Sequence, residues 1–203
     1  MSLEIECKYL NVDFNAIRSA LETQEAHFFG AHFERNVIFD TPGAELFRSK
    51  RLLRLRTQEW PDKTRCLLTL KLTAEQRENF KIRDELETEV ADSASLRSVL
   101  EDLGYSTTAR YEKIREIWRL ETVEVCLDVL PFMTALELEG EPENIIQAAE
   151  LLYLDKWTAS TKNYHVLHQD WRSLHNMPVD LSFVFNEKQR NFWRKKLGLA
   201  REV

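Results

Sequence analysis

The sequence predicts an α+β fold in which eight mostly antiparallel strands can close into a β-barrel with helices packed on its outside. Three observations predict it. Apolar and charged residues alternate with period two in eight segments, and successive side chains of a strand point to opposite faces. Short turn signals join most of these segments, which favours antiparallel neighbours. Several amphipathic stretches punctuate them, enough helix to cover one face of a sheet.

The elements follow in chain order. EIECKYL, residues 4–10, puts Glu4, Glu6 and Lys8 on one face and Ile5, Cys7 and Tyr9 on the other. Asp13 can cap a helix over 14–25, where Phe14, Ile17 and Leu21 share a face. The strand 33–40 is rich in β-formers and stops at Thr41-Pro42-Gly43. The strand 51–58 carries Arg54 and Arg56 and precedes the turn Trp60-Pro61-Asp62. The strand 65–72 carries Thr69 and Lys71 in one register, and the strand 81–90 alternates charges at 81, 83, 85, 87 and 89. Asp92 or Ser93 can cap a helix from Ala94 to Leu103, with Gly104 placed as its C-terminal cap. The strand 110–120 carries Lys113 and Arg115. The strand 122–130 sets Val123, Val125, Leu127 and Val129 against Glu124, Cys126 and Asp128. The strand 134–140 sets Leu136 and Leu138 against Glu137 and Glu139. Pro142 opens a helix to Leu154, and the tail from Asn186 to Leu197 reads as a basic amphipathic helix.

Composition narrows the function classes. The chain has 203 residues, enough for one domain or a domain with an appendage. Its formal net charge of -6 argues against general attraction to nucleic acid, so an anion must bind in a local basic pocket. No apolar run approaches the roughly 20 residues that span a bilayer. The N-terminus opens on acidic residues, so no secretory signal is expected. Cys7, Cys66 and Cys126 each lie in an apolar strand-like run and are expected to be reduced, buried thiols of a cytoplasmic protein. Zinc is not expected, because the cysteines are isolated and no cysteine pair lies near His165 and His168, which suit a helix surface or the core.

Period two admits two barrels. Apolar side chains can fill the interior while charges face water, or helices can cover an apolar exterior while charges line a wet interior. The charges are sorted by sign: Arg54 with Arg56, Lys71, and Lys113 with Arg115 are basic. Glu4 with Glu6, Glu85 with Glu87, and Glu137 with Glu139 are acidic pairs, and Asp128 is a lone acid. Like charges two residues apart repel unless a counter-ion sits between them. Paired arginines suit phosphate oxygens, and paired carboxylates suit a hard divalent cation. The pattern describes a pocket for a polyanion and a metal.

The same motifs, in order, resemble the CYTH superfamily, the triphosphate tunnel metalloenzymes. Glu4-x-Glu6-x-Lys8 looks like its ExExK signature, and FDTPGAELFRSKRLLRLR its Asp-Thr-Pro turn followed by an R-x-R strand. LTLKL around Lys71 resembles its lysine strand, and RDELETEV, with Arg83, Glu85 and Glu87, its R-x-E-x-E strand. EKIR, LDVLPF, LELEG and TKNYHVL complete the series to about residue 170. The resemblance implies a CYTH triphosphate-tunnel domain over 1–170, with a hydrophilic lumen open at both ends. Residues 171–203 would be a helical extension packed on the same domain, as an outer helix, a dimer contact or a plug.

The resemblance also implies the roles. Arg54, Arg56, Lys71, Lys113, Arg115, Lys162 and Lys8 would bind phosphate, with Lys8, Lys71 and Lys162 as the catalytic lysines. Glu4, Glu6, Asp128, Glu137 and Glu139 would hold Mg²⁺ or Mn²⁺, and Glu85 and Glu87 would add metal-binding or water-activating groups. The partner would be a small-molecule triphosphate, with neither nucleic acid nor membrane, and the chain a monomer or homodimer. The expected reaction is metal-dependent hydrolysis of a triphosphate at the γ-phosphorus. The alternative is cyclisation of ATP, as in class IV adenylyl cyclases, but their His-Phe pair before ExExK has no room here. A non-catalytic polyphosphate or nucleotide receptor and a purely structural domain with outward charges are further alternatives. Trp60 and Phe80 could stack on an organic ring or serve as core and loop aromatics.

Overall fold

Alternation decides the walls of the molecule before any long-range contact forms. The computed structural model describes residues 2–77 and 79–199. Its strands are β1 (Ser2–Leu10), β2 (His27–Asp40), β3 (Leu52–Glu59), β4 (Thr64–Lys71), β5 (Glu75–Arg77), β6 (Phe80–Glu89), β7 (Ser106–Leu120), β8 (Val123–Val129), β9 (Thr134–Glu139) and β10 (Thr158–Ser160). Its α-helices are α1 (Phe14–Thr23), α2 (Glu45–Arg48), α3 (Ser93–Asp102), α4 (Pro142–Leu151), α5 (Tyr164–Leu174) and α6 (Glu187–Lys196). The strands run in the order β10-β1-β9-β8-β7-β2-β3-β4-β6-β5, and β1 also pairs with β6. That last pairing closes an eight-stranded antiparallel barrel. The short strands β5 and β10 extend the edges of β6 and β1 beyond the seam.

The polarity of this barrel is inverted. Ile5, Cys7, Val123, Val125, Leu127, Leu136 and Leu138 point outward and are buried with Ile17 and Leu21 of α1 and Ile145 and Ala148 of α4. Phe39, Leu53 and Leu55 pack with Leu46 of α2 and Leu100 of α3. The helices therefore remove the outer apolar face from water, and the opposite parity is left to the lumen. Capping fixes their starts: Asp13 and Asp92 accept from backbone N–H groups of α1 and α3, and Asn186 closes a capping box with Gln189 at α6. The Asp-Thr-Pro turn has a local cause too. The Asp40 carboxylate accepts from the N–H groups of Thr41, Leu46 and Phe47, tying the end of β2 to α2.

Three departures from the sequence reading have physical reasons. Strand β2 begins at His27 rather than 33, across a bulge between Phe28 and Gly30 that hides its alternation. Gly30 has φ +121, and a Cβ there would meet the Trp60 ring at 3.1 Å, so the strand can pass under the indole only with glycine. Helix α5 has no leucine stripe; its buried face is built largely of Tyr164, Leu167 and His168. Third, one end of the barrel is covered. Tyr111, Ala135, Leu10 and Ile38 of the lumen parity form an apolar cluster with Phe183 and Tyr164. Cys66 is only half-buried; Cys7 and Cys126 are buried, and all three thiols are free.

Helix α5 runs across residue 171, so the C-terminal segment continues from it without a structural break. Phe183 bonds to the β7 backbone on both sides, accepting from Glu112 and donating to Arg110, both at 3.0 Å. Phe185 and Trp193 pack on Phe33 and Ile114, and Arg194 donates to Glu59 at 2.6 Å. Residues 171–199 thus pack on this domain, with Phe185 and Trp193 on the outer face and Phe183 over one end of the barrel.

Candidate active site

Directly opposed residues in an antiparallel ladder share a face, so the register states what the lumen contains. It pairs Glu4 with Arg83, Glu6 with Lys81, Lys8 with Glu137, Lys71 with Glu85, Arg115 with Asp128, and Glu34 with Lys113. Acid faces base around most of the ring.

Asp128 is the centre of the densest part. It is fully buried and accepts from Lys113 at 3.0 Å, from Arg115 at 2.8 and 2.6 Å, and from the Tyr164 hydroxyl at 2.7 Å. Arg115 also pairs with Glu137, which in turn holds Lys8 at 2.5 Å. The Tyr164 ring lies under both ammonium groups, 4.8 Å from Lys8 and 5.6 Å from Lys113. Burial alone would neutralise Lys8, but the Glu137 and Glu6 carboxylates overcome it and hold the ammonium well above its ordinary range. Lys8 therefore stays charged at neutral pH.

The open end of the lumen is acidic. A cleft of about 410 Å³ is lined by Glu4, Glu85, Glu139, Glu141, Asn144 and neighbouring backbone. Oxygens of Glu4, Glu6 and Glu139 lie within 4.8 Å of one another. Burial, reinforced by Glu4, Glu137 and Glu6, outweighs Arg115 and pushes the Glu139 carboxyl up to about 8. Burial and the hydrogen bond with Glu4 push Glu85 up to about 7, although Lys71 pairs with both acids. Carboxyls this reluctant to ionise mark a place short of positive charge. Three converging carboxylate oxygens form a hard donor set, and the residues present fit Mg²⁺ or Mn²⁺.

The wall formed by β2 and β3 differs. Arg54 is 5% exposed, yet it donates only to two hydroxyls, Tyr111 at 3.0 Å and Thr69 at 3.4 Å. Among the described residues no carboxylate forms an ion pair with it. Among the described residues Arg56 pairs only with Glu34, at 3.8 Å, and Glu34 is shared with His32 at 3.0 Å, Lys113 at 3.6 Å and Gln58 at 3.5 Å. Lys113 and Arg56 hold Glu34 well below the usual carboxylate range against its burial. Burial pushes His32 down, so its ring is neutral at pH 7, and Nε2 must be the donor to the ionised Glu34.

The fold thus brings Glu4, Glu6, Lys8, Arg54, Arg56, Lys71, Glu85, Lys113, Arg115, Asp128, Glu137 and Glu139 to one lumen. Glu87 shares that parity but sits at an exposed position, where it accepts from Thr69 at 2.7 Å. Lys162 is not in the lumen: its side chain is 54% exposed and its Nζ lies 2.7 Å from Asp170. Tyr164, two residues on, enters instead. Trp60 is committed to stacking on His32 at 4.2 Å, and Phe80 packs beside the outer core. Sequence reasoning missed His32, Glu34, Asn36 and Tyr111. The only signal was the polar parity of His32, Glu34 and Asn36, which carries no like-charged pair.

The CYTH domain profile matches residues 2–162. A protein of Methanocaldococcus jannaschii that carries a provisional adenylate cyclase name is 24% identical over 151 residues, covering 74% of this chain and 83% of its own. Among solved structures, the PH1012 protein of Pyrococcus horikoshii OT3 is 28% identical with a TM-score of 0.65, covering 79% of this chain and 96% of that one. A Hippeastrum protein described as a provisional adenylyl cyclase with a dominant triphosphatase activity has a TM-score of 0.61 at 19% identity, covering 89% of this chain and 99% of that one. None of the described helices is long and apolar enough to cross a membrane.

Proposed function

The chain belongs to the CYTH domain family, and from that premise we propose that it hydrolyses inorganic or organic triphosphates inside its barrel with Mg²⁺ or Mn²⁺. The observation that carries this reading is Arg54, a buried guanidinium whose only hydrogen-bond partners among the described residues are hydroxyls. An arginine cannot shed its proton, and a buried guanidinium with no hydrogen-bonded carboxylate, offset only by the more distant charges of Glu34 and Glu85, is an unfavourable arrangement. An oxyanion beside Arg54 and Arg56 removes that penalty and matches two planar guanidinium forks.

Each group then has a task. Arg54 and Arg56 grip phosphate oxygens, while Lys71, Lys113 and Arg115 neutralise the rest of the chain from the facing walls. Lys8, kept charged by Glu137 and Glu6, stabilises negative charge that grows on a phosphate oxygen as the bond breaks. Glu4, Glu6 and Glu139 would hold the cation, with Glu85 beside them. The bound ion would supply Lewis acidity and charge neutralisation next to the phosphates. The apolar cover over the far end limits entry of bulk water. Lys162 could join only by leaving Asp170.

The test is product analysis. Purified protein with Mg²⁺ or Mn²⁺ should release phosphate from tripolyphosphate, thiamine triphosphate or ATP. Arg54→Ala should abolish that release without unfolding the chain. Cyclisation of ATP is the second reading, favoured by the cyclase name of the Methanocaldococcus relative; cyclic AMP and pyrophosphate as the products would select it. Tight tripolyphosphate binding without turnover would instead identify a receptor.

A further inference from the structure

Asn36 is 1% exposed, and neither its Nδ2 nor its Oδ1 has a hydrogen-bond partner. The Nε atoms of Arg54 and Arg56 are also buried and unpartnered. The register explains why these groups share one place. Asn36 lies directly opposite Arg56 on β3 and Tyr111 on β7, and its next neighbour on the same face, Ile38, lies opposite Arg54. The Tyr111 hydroxyl already accepts from Arg54, and Glu34 is divided among His32, Gln58, Lys113 and Arg56.

An amide in a buried strand is an unfavourable choice, since both of its ends need partners and a β-branched apolar residue would suit the ladder better. A trapped water could satisfy the amide but would leave Arg54 with hydroxyl partners and Arg56 with a distant share of Glu34. An oxyanion serves all three. It accepts from Asn36 Nδ2 and from the arginines, while Asn36 Oδ1 remains to accept a guanidinium N–H. A cation does not fit here, because the surrounding groups are already positive.

We infer that Asn36 is a substrate-contact residue that completes, with Arg54 and Arg56, a cation-free subsite for one phosphoryl group of the triphosphate. The inference rests on the lumen being the triphosphate site. It divides the ligand between two places: a phosphoryl group held by donors alone at the β2–β3 wall, and the remainder shared with the metal at the acidic mouth.

Tripolyphosphate binding, followed by calorimetry in EDTA, and thermal melting test it together. Asn36→Ala should weaken binding about tenfold, as expected for one hydrogen bond to a charged group. Asn36→Asp places a carboxylate between the two arginines, so it should raise the melting temperature while weakening binding about 100-fold. Asn36→Ala adds no charge, so a residue with only a packing role would leave binding by the folded variant unchanged. Arg56→Ala is the reference for the underlying reading. If it weakens binding while both Asn36 variants bind as the unchanged protein does, the inference is overturned and the reading stands. If Arg56→Ala binds unchanged, the reading itself fails. If neither Asn36 variant folds, the amide is structural and the inference is overturned.

Discussion

Around Asp128 every buried charge has an opposite charge within hydrogen-bond reach, whereas along the β2–β3 wall Arg54 has two hydroxyls and Arg56 a distant share of Glu34. Both regions lie in one lumen, and Asp128 and Arg54 are both buried. The first is neutralised internally before any ligand arrives, so its contacts hold the barrel's shape as well as facing the lumen. The second has unpartnered donors, and on the proposed reading they await an oxyanion. Losing a charge from the first should cost stability. Losing one from the second should cost affinity and leave stability alone, or raise it.

The largest effect should come from breaking the complete region. Asp128→Ala strands Lys113 and Arg115 without their carboxylate, and a loss of about 3–5 kcal/mol in urea denaturation is expected. A loss under about 1 kcal/mol would mean water already screens that centre, and the contrast between the regions would collapse. Arg54→Ala should weaken tripolyphosphate binding about 100-fold with little loss of stability, because two hydrogen bonds to hydroxyls disappear together with the cost of burying the guanidinium. Unchanged affinity together with a large drop in stability would reverse the assignment of the two regions.

A pH titration probes the layer behind the open wall. His165 packs edge-on against Tyr111 at 5.2 Å and lies against Phe183, and burial pushes its pKa down to about 4. The ring is neutral in the fold but gains a proton near 6.5 when unfolded. Its contribution is therefore complete above about pH 6.5 and is lost as pH falls towards 4, by about 3 kcal/mol. His165→Phe should flatten that part of the curve in denaturation at pH 4.5 and 7. The smallest effect belongs to Lys162, whose pair with Asp170 is open to solvent. Lys162→Ala should change stability by about 0.5 kcal/mol or less and leave tripolyphosphate affinity intact. A clear loss of affinity would mean that the lysine leaves Asp170 when substrate arrives.

Much of this was legible in the residues. Glu4, Glu6 and Lys8 announced a charged strand face, and Arg54 with Arg56 announced a basic one, because a strand cannot hide its parity. The helices at Asp13, Asp92, Pro142 and Asn186 were marked by their caps. What parity could not convey was depth along the strand. Glu137 and Glu139 look equivalent in the sequence, yet two strand positions separate them by about 7 Å. That step sends Glu137 to Lys8 and Arg115 and leaves Glu139 at the mouth. Asn36 was overlooked for another reason: a lone amide says nothing until the groups around it are known to lack partners.

By itself, the sequence determined the eight barrel strands in outline, their two chemically distinct faces and the signs of charge on each, since all of these follow from local periodicity; the bulged start of β2 and the short β5 and β10 do not. Only the tertiary structure decided which face turned inward, which acid met which base and which donors were left over. Those are properties of register and closure, and they exist only when strands distant in the chain, such as β1 and β6, come side by side.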